Sequence, residues 1–492
     1  MGTYLVDLGL PTVPFDRCFQ QGVGSCHAYL TLREDFRQHV RLVQQEIGFR
    51  GIRFHGIFND QVGAMRYRVA PGETPYNFQN ITRIYEFFVA QGMKPFVELS
   101  FMPAALASGS QTIFAYKANV TPPKDWAAWN DLVTAFVRHL LAYFGAEEVR
   151  AWRFEVWNEP DLMPHFWTGS QADYFRLYAE TARAIKAVDP RLRVGGPATS
   201  KSLWIPEFLA FCEEHRLPVD FVSTHHYGVD AALVEGRPTR ELRWRGARAM
   251  RDDAQRVRSA IAASSFPRAE LHFTEWNASP AHEDRFGKDS EFTAAFALQT
   301  IKDVSGLVDS YQWWTLSDIF EESGLGFLPF TGKYGLVNMH GIKKPVFHAF
   351  RWLARLFDDE VPVAAPSLRV TRHARGEVRL LTWNLPEVLA TDLGGGDWTM
   401  AGEPRAEEIV LTGLSGRHRI RAWRVDRILG NALRAWQQLG APAYPDRAQL
   451  DELARAGEAV EVCDRVVDCD GSCRLEHTLS PCAVVYYELT RV

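Results

Sequence analysis

Two short segments each carry a carboxylic acid at the end of an apolar, strand-like run. FEVWNEPD (154–161) holds Glu159, and HFTEWN (272–277) holds Glu275. A pair of carboxyl groups suits glycoside hydrolysis. One donates a proton to the leaving oxygen, and the other attacks the anomeric carbon or activates a water to do so. A separation of about 5–5.5 Å gives the covalent, retaining route. The acid must keep its proton near neutral pH, which takes burial or a neighbouring negative charge. The nucleophile must stay ionised, and Arg53 and Tyr227 are donors of the right type to hold it so. Asn158 suits the sugar 2-hydroxyl, a contact that strengthens in the transition state. Trp314 offers an apolar face for a pyranose to stack on. Each residue alone has a plainer explanation: a salt-bridged strand end, a core tryptophan, an internal ion pair. Side chains alternate along a strand, so His226 points away from His225 and Tyr227 and reads as structural. The functional reading rests on convergence of the whole set.

Convergence requires a scaffold. Between residues 19 and 357, short apolar runs alternate with helix-period segments. Strands are expected at 20–28, 50–58, 94–101, 149–157, 192–197, 219–227, 270–276 and 309–316, with helices at, for example, 78–91, 170–188 and 241–263. Trp126, Trp129, Val133, Phe136, Val137 and Leu140 recur at spacings of three and four, one face of a helix that Asp125 would cap. Eight strand–helix repeats predict an α/β fold, a (β/α)8 TIM barrel. Both glutamates then end strands, the fourth and the seventh, at the rim where such barrels keep their active sites. No glycine-rich phosphate loop follows the first strand, which argues against an open doubly wound sheet. Residues 358–492 read as a C-terminal β-sandwich domain with a helical insertion near 431–456. Residues 1–18 are expected to pack on it.

Composition narrows the classes. The chain has 492 residues, 46% of them apolar, enough for a large core. A net charge of −5 gives no electrostatic case for nucleic acid or an anionic membrane. No apolar run approaches the ~20 residues of a membrane span. The start MGTYLVDLGLPTVPF lacks the basic residues and long apolar core of a signal peptide, so a cytoplasmic location is expected. Of seven cysteines, Cys463, Cys469, Cys473 and Cys482 crowd the C-terminus, but their spacing matches no strong zinc pattern. No cofactor or metal is called for, since two carboxylates suffice.

At these residues the sequence resembles clan A glycoside hydrolases, and more narrowly glycoside hydrolase family 39, in its bacterial β-xylosidase branch. FEVWNEPD resembles the family's acid/base segment and HFTEWN its nucleophile segment. RFHG (53–56), ASGSQTIF (107–114), NVTPPKDW (119–126), THHYG (224–228), WWTLSDIFEE (313–322) and GIKKPVFHAF (341–350) are similar to that branch, as is NALRAW (431–436) in the second domain. The resemblance implies Glu159 as proton donor and Glu275 as nucleophile. It implies that Asn158, His55, His225 and either Glu321 or Glu322 contact sugar hydroxyls, that Phe114 walls the pocket and that Tyr227 holds the nucleophile. Trp313, where a Tyr is more familiar, and the loop SGLGFLPFTGKY (323–334) depart from the pattern, and the loop bears on the leaving-group side.

The expected activity is a retaining exo-β-D-xylosidase acting on xylo-oligosaccharides or other small glycosides, a role in xylan degradation. The alternatives are another clan A specificity (arabinosidase, uronidase, exopolysaccharide hydrolase) or a non-catalytic sugar-binding barrel. A uronidase needs a cation for the substrate carboxylate, and no Lys or Arg beyond Arg53 stands out at the rim. The oligomeric state is not legible.

Overall fold

A computed structural model describes residues 2–234, 237–284, 287–391 and 398–492. Eight parallel strands close into a barrel: β1 (Val23–His27), β2 (Gly51–His55), β3 (Lys94–Leu99), β4 (Arg153–Val156), β5 (Arg193–Thr199), β6 (Phe221–Tyr227), β7 (Glu270–Asn277) and β8 (Ser310–Trp313). Trp313 of β8 pairs with Val23 of β1 and closes the ring. The strands are buried almost throughout, as a parallel sheet covered by helices requires. β1 carries Gly24 where a Cβ would stand 2.4 Å from the Trp314 ring, so only glycine lets that ring lie against the strand.

The helix Trp126–Phe144 starts at Asp125, whose carboxylate accepts the backbone N–H groups of Ala127 and Ala128. Trp129, Val133, Phe136, Val137 and Leu140 are buried along one face, with Trp126 partly buried at its start. Two expected elements differ. Ala146–Arg150 is a helical turn, which shortens the expected strand 149–157 to β4. The expected helix 241–263 begins only at Ala249, because Val229–Val234 and Arg237–Trp244 form an antiparallel hairpin. The alternation in Glu241-Leu242-Arg243-Trp244 has the period of a strand, and here it outweighs helix propensity.

The C-terminal region is β-rich. One sheet runs in the order Gly2–Asp7, Arg405–Val425, Val484–Arg491, Val378–Trp383, Leu368–Arg372, Asp359–Val361, Val13–Pro14, and Val460–Leu479 also pairs with Arg405–Val425. It covers its own core, which includes Val6, Leu380, Ile409, Leu411, Leu475 and Leu489. Gly2–Asp7 lies parallel to Arg405–Val425, with Leu5 opposite Val410. The helical stretch is two helices, Ala432–Gln438 and Arg447–Ala456, which share a cluster with Phe330 and Ile342 from the segment after β8. All seven cysteines are free thiols. Among the described residues no helix is long and apolar enough to cross a membrane.

Candidate active site

Local backbone features aim the two glutamates. β4 runs into Trp157-Asn158-Glu159, where Trp157 and Glu159 take the left-handed conformation, with φ of 71° and 43°. Such backbone costs a non-glycine residue roughly 1–3 kcal/mol, so the surroundings must hold it. The Trp157 indole N–H donates to the Phe166 carbonyl at 2.8 Å, and the Glu159 N–H donates to the Ala198 carbonyl at 2.8 Å. On the other side, Thr224 of β6 pairs with Phe273 of β7 while His225 pairs with Glu275. Thr274 is the extra residue, and a bulge of this kind re-aims the side chains beside it. Carboxylate oxygens of Glu159 and Glu275 and a nitrogen of His225 all lie within 4.8 Å of one another.

The two carboxyls have different supports. Glu275 Oε1 accepts from Arg53 Nη1 at 2.8 Å, and Oε2 accepts from the Tyr227 hydroxyl at 2.8 Å. Burial lifts the Glu275 carboxyl above its ordinary value, and Arg53 pulls it back. Glu159 feels the charges of His55 and Arg53 but is hydrogen-bonded to neither; its Oε1 meets His225 Nδ1 at 2.9 Å. Burial dominates there and pushes its pKa up to about 7.

Beneath them lies a charged layer inside the barrel. Arg53 is fully buried and also reaches Glu155 Oε2 at 2.6 Å, Glu98 Oε2 at 2.8 Å and Asn158 Oδ1 at 2.8 Å. Burial opposes its charge, but Glu155, Glu98 and Glu275 together raise its pKa and keep it cationic. His55 Nδ1 lies 2.7 Å from Glu98, and although burial opposes its charge, that carboxylate carries it to about 9.

A pocket of about 270 Å³ opens above this layer, lined by Asn158, Glu159, Tyr227, Glu275, Trp314 and Glu322 among others. It falls just below the roughly 300–1,000 Å³ of drug-sized ligand sites, which leaves room for one sugar ring. A wider cavity of about 800 Å³ adjoins it through Leu162, Phe166, His282 and Glu322, with Phe114 and Met163 in its wall. The loops after β7 and β8 are pinned together by Lys344. Its Nζ lies 2.5 Å from Asp289 and 2.6 Å from Asp318, all three side chains being buried.

The expected residues fall into three groups. His55, Asn158, Glu159, Tyr227, Glu275, Trp314 and Glu322 line the sugar-sized pocket, and Phe114 belongs to the adjoining cavity. Glu321 is a correction. It turns to Arg33 Nη1 at 2.5 Å and His27 Nε2 at 3.1 Å, while Glu322 faces the pocket and bonds His282 at 3.1 Å. Those two basic groups capture the first. Arg53 holds Glu275 as expected but, like His225, it is fully buried behind the carboxylates, so neither lines the pocket as a sugar contact would. His226 bonds Tyr311 at 2.7 Å and stacks on Phe273, although it also borders the pocket. Sequence reading missed Lys201 and Arg245, which line the pocket but are each held by an aspartate, Asp230 and Asp253, at 2.8 Å. It also missed His282, on a loop with no pattern of its own.

Glu159, His225 and Glu275 are spaced closely enough to hold a cation. Their facing atoms are already engaged with Arg53, Tyr227, Thr274 and each other, a donor set built for proton chemistry.

A family model described as glycosyl hydrolases family 39 matches residues 5–474. The chain is 40% identical over 438 residues to a beta-xylosidase of Caldicellulosiruptor saccharolyticus, covering 89% of this chain and 87% of that one. It is 39% identical over 481 residues to a beta-xylosidase of Geobacillus stearothermophilus, covering 96% and 92%. The crystal structure of a monomeric beta-xylosidase from Caulobacter crescentus CB15 superposes with a TM-score of 0.93 at 36% identity, covering 100% of both chains.

Proposed function

Because this chain belongs to glycosyl hydrolases family 39, we propose that it is a retaining exo-β-D-xylosidase that releases xylose from the non-reducing ends of xylo-oligosaccharides. The observation that carries the reading is the pair of carboxylates within 4.8 Å, one held by a guanidinium and a phenol and the other raised to about 7 by burial. That separation fits double displacement and leaves too little room for the water of an inverting enzyme.

In this reading Glu159 protonates the glycosidic oxygen while Glu275 attacks the anomeric carbon. The leaving group departs into the wider cavity on the Glu159 side. Glu159 then takes a proton from water, which displaces Glu275 and restores the anomeric configuration. Asn158, whose Oδ1 is taken by Arg53, offers its amide nitrogen to the sugar. Glu322 Oε1, buried without a hydrogen-bond partner and 3.6 Å from His55 Nε2, is the acceptor for a sugar hydroxyl. Trp314 is the stacking face. The small pocket accounts for removal of one terminal unit at a time.

The test is hydrolysis of aryl β-xylosides, α-L-arabinosides, β-glucosides and uronides, with the first-formed anomer followed by NMR. Xylosides turned over fastest with β-xylose appearing first is the expected result. A first-formed α anomer rejects the retaining route, and preference for a uronide rejects the substrate.

A further inference from the structure

Counting hydrogens fixes the direction of the chain of bonds behind Glu159. Arg53 Nε donates to Glu155 Oε2 at 2.6 Å. The Glu155 carboxylate can only accept, and its Oε1 takes the Thr274 hydroxyl at 2.9 Å. That hydroxyl has one hydrogen, so toward His225 it accepts. His225 Nε2, 3.1 Å from Thr274 Oγ1, therefore carries the ring hydrogen. Burial pushes the His225 pKa down to about 4, so the ring is neutral and Nδ1 presents a bare lone pair. Nδ1 lies 2.9 Å from Glu159 Oε1. Two lone pairs repel at that distance, whereas a hydrogen on Glu159 makes the contact a bond.

We infer that Thr274 and Glu155 fix His225 as its Nε2–H tautomer, so that His225 accepts a hydrogen bond from Glu159 and favours that carboxyl in its acid form. The inference rests on Glu159 being the proton donor. Thr274 and Glu155 act through His225 and are positioning residues. In the first step the Glu159 hydrogen swings from Nδ1 to the leaving oxygen as the glycosidic bond breaks. Glu159 is then a carboxylate facing a lone pair, and it is relieved when it takes a proton from the attacking water. The same contact serves both steps.

The other groups acting on Glu159 are His55 and Arg53 from β2, Glu98 from β3, Glu275 from β7, Glu322 from the loop after β8 and Asp161 two residues on, and Lys201, Asp230, Arg245 and His282 line the same pocket. The phenols of Tyr227 and Tyr334 also face it. The Thr274 hydroxyl itself bonds Glu155 and His225 and none of these groups.

Two measurements on the full-length enzyme decide the matter. With 15N-labelled histidine, the His225 signals, identified by their loss in His225→Asn, should show a protonated Nε2 and an unprotonated Nδ1 at pH 6. The opposite tautomer overturns the inference. This readout needs no turnover, so it holds or fails independently of the reaction proposed above. Thr274→Val frees the ring to place its hydrogen on Nδ1 and donate to a Glu159 carboxylate. The alkaline limb of kcat/KM should then move to lower pH by about one unit, and Thr274→Ser should restore it. An unmoved limb, or equal loss at every pH, overturns the inference.

Discussion

Arg53 Nη1 stands 2.8 Å from Glu275 Oε1, and the same guanidinium holds Glu155, Glu98 and Asn158. One fully buried cation thus joins four strand ends, β2, β3, β4 and β7, in a single layer. Arg53→Met leaves those carboxylates buried without their partner, and breaking a buried ion pair in this way costs about 3–5 kcal/mol. The midpoint of chemical denaturation should fall accordingly. An unchanged midpoint would show that the layer contributes nothing to stability.

The two glutamates should fail in different ways. Glu275→Ala should lose turnover on every substrate and regain it with added azide, giving an α-glycosyl azide by single displacement at the vacated face. Glu159→Ala should spare aryl xylosides with good leaving groups far more than xylobiose, because only poor leaving groups need the proton. Equal losses on both classes would remove Glu159 from the acid role.

Much of this was legible in the sequence, and the boundary of legibility has a physical origin. Asp125 as a cap and the Trp129–Leu140 face follow from contacts a few residues apart, so spacing suffices. The rim positions of Glu159 and Glu275 follow from strand alternation and barrel topology. The choice between Glu321 and Glu322 does not, since Arg33 and His27, nearly 300 positions away, decide it. Glu98 and Glu155 did leave a trace, as charged residues inside apolar runs, and a buried arginine requires such partners. The Thr274 bulge is a property of strand register and has no signal in composition or periodicity.

The pH profile follows from the same environments. Glu159 must be protonated to act, and its pKa is about 7, so kcat/KM should fall as pH rises through about 7. Glu275 must be ionised, and burial raises it, so the acid limb should lie above the ordinary glutamate value. A pH series with xylobiose tests both limbs. In Glu159→Ala, assayed on an activated aryl xyloside, the alkaline limb should vanish.

Lys344 offers a test away from the chemistry. Its ammonium joins Asp289, after β7, to Asp318, after β8, inside the protein. Lys344→Met should cost about 3–5 kcal/mol by leaving both aspartates unpaired. It should also raise KM more than it lowers kcat, because Glu322 and Tyr334 ride on the loop it anchors. A stability loss with KM untouched would separate the anchor from substrate binding.

The parallel pairing of Gly2–Asp7 with Arg405–Val425 bears on synthesis. This strand is synthesised about four hundred residues ahead of its partner. At about 5–20 residues per second it waits roughly 20–80 s before that partner exists. The barrel can assemble during this interval, but the pairing of these two strands forms only after it. A nascent chain arrested before residue 405 should therefore carry a finished barrel and a protease-sensitive Gly2–Asp7 segment.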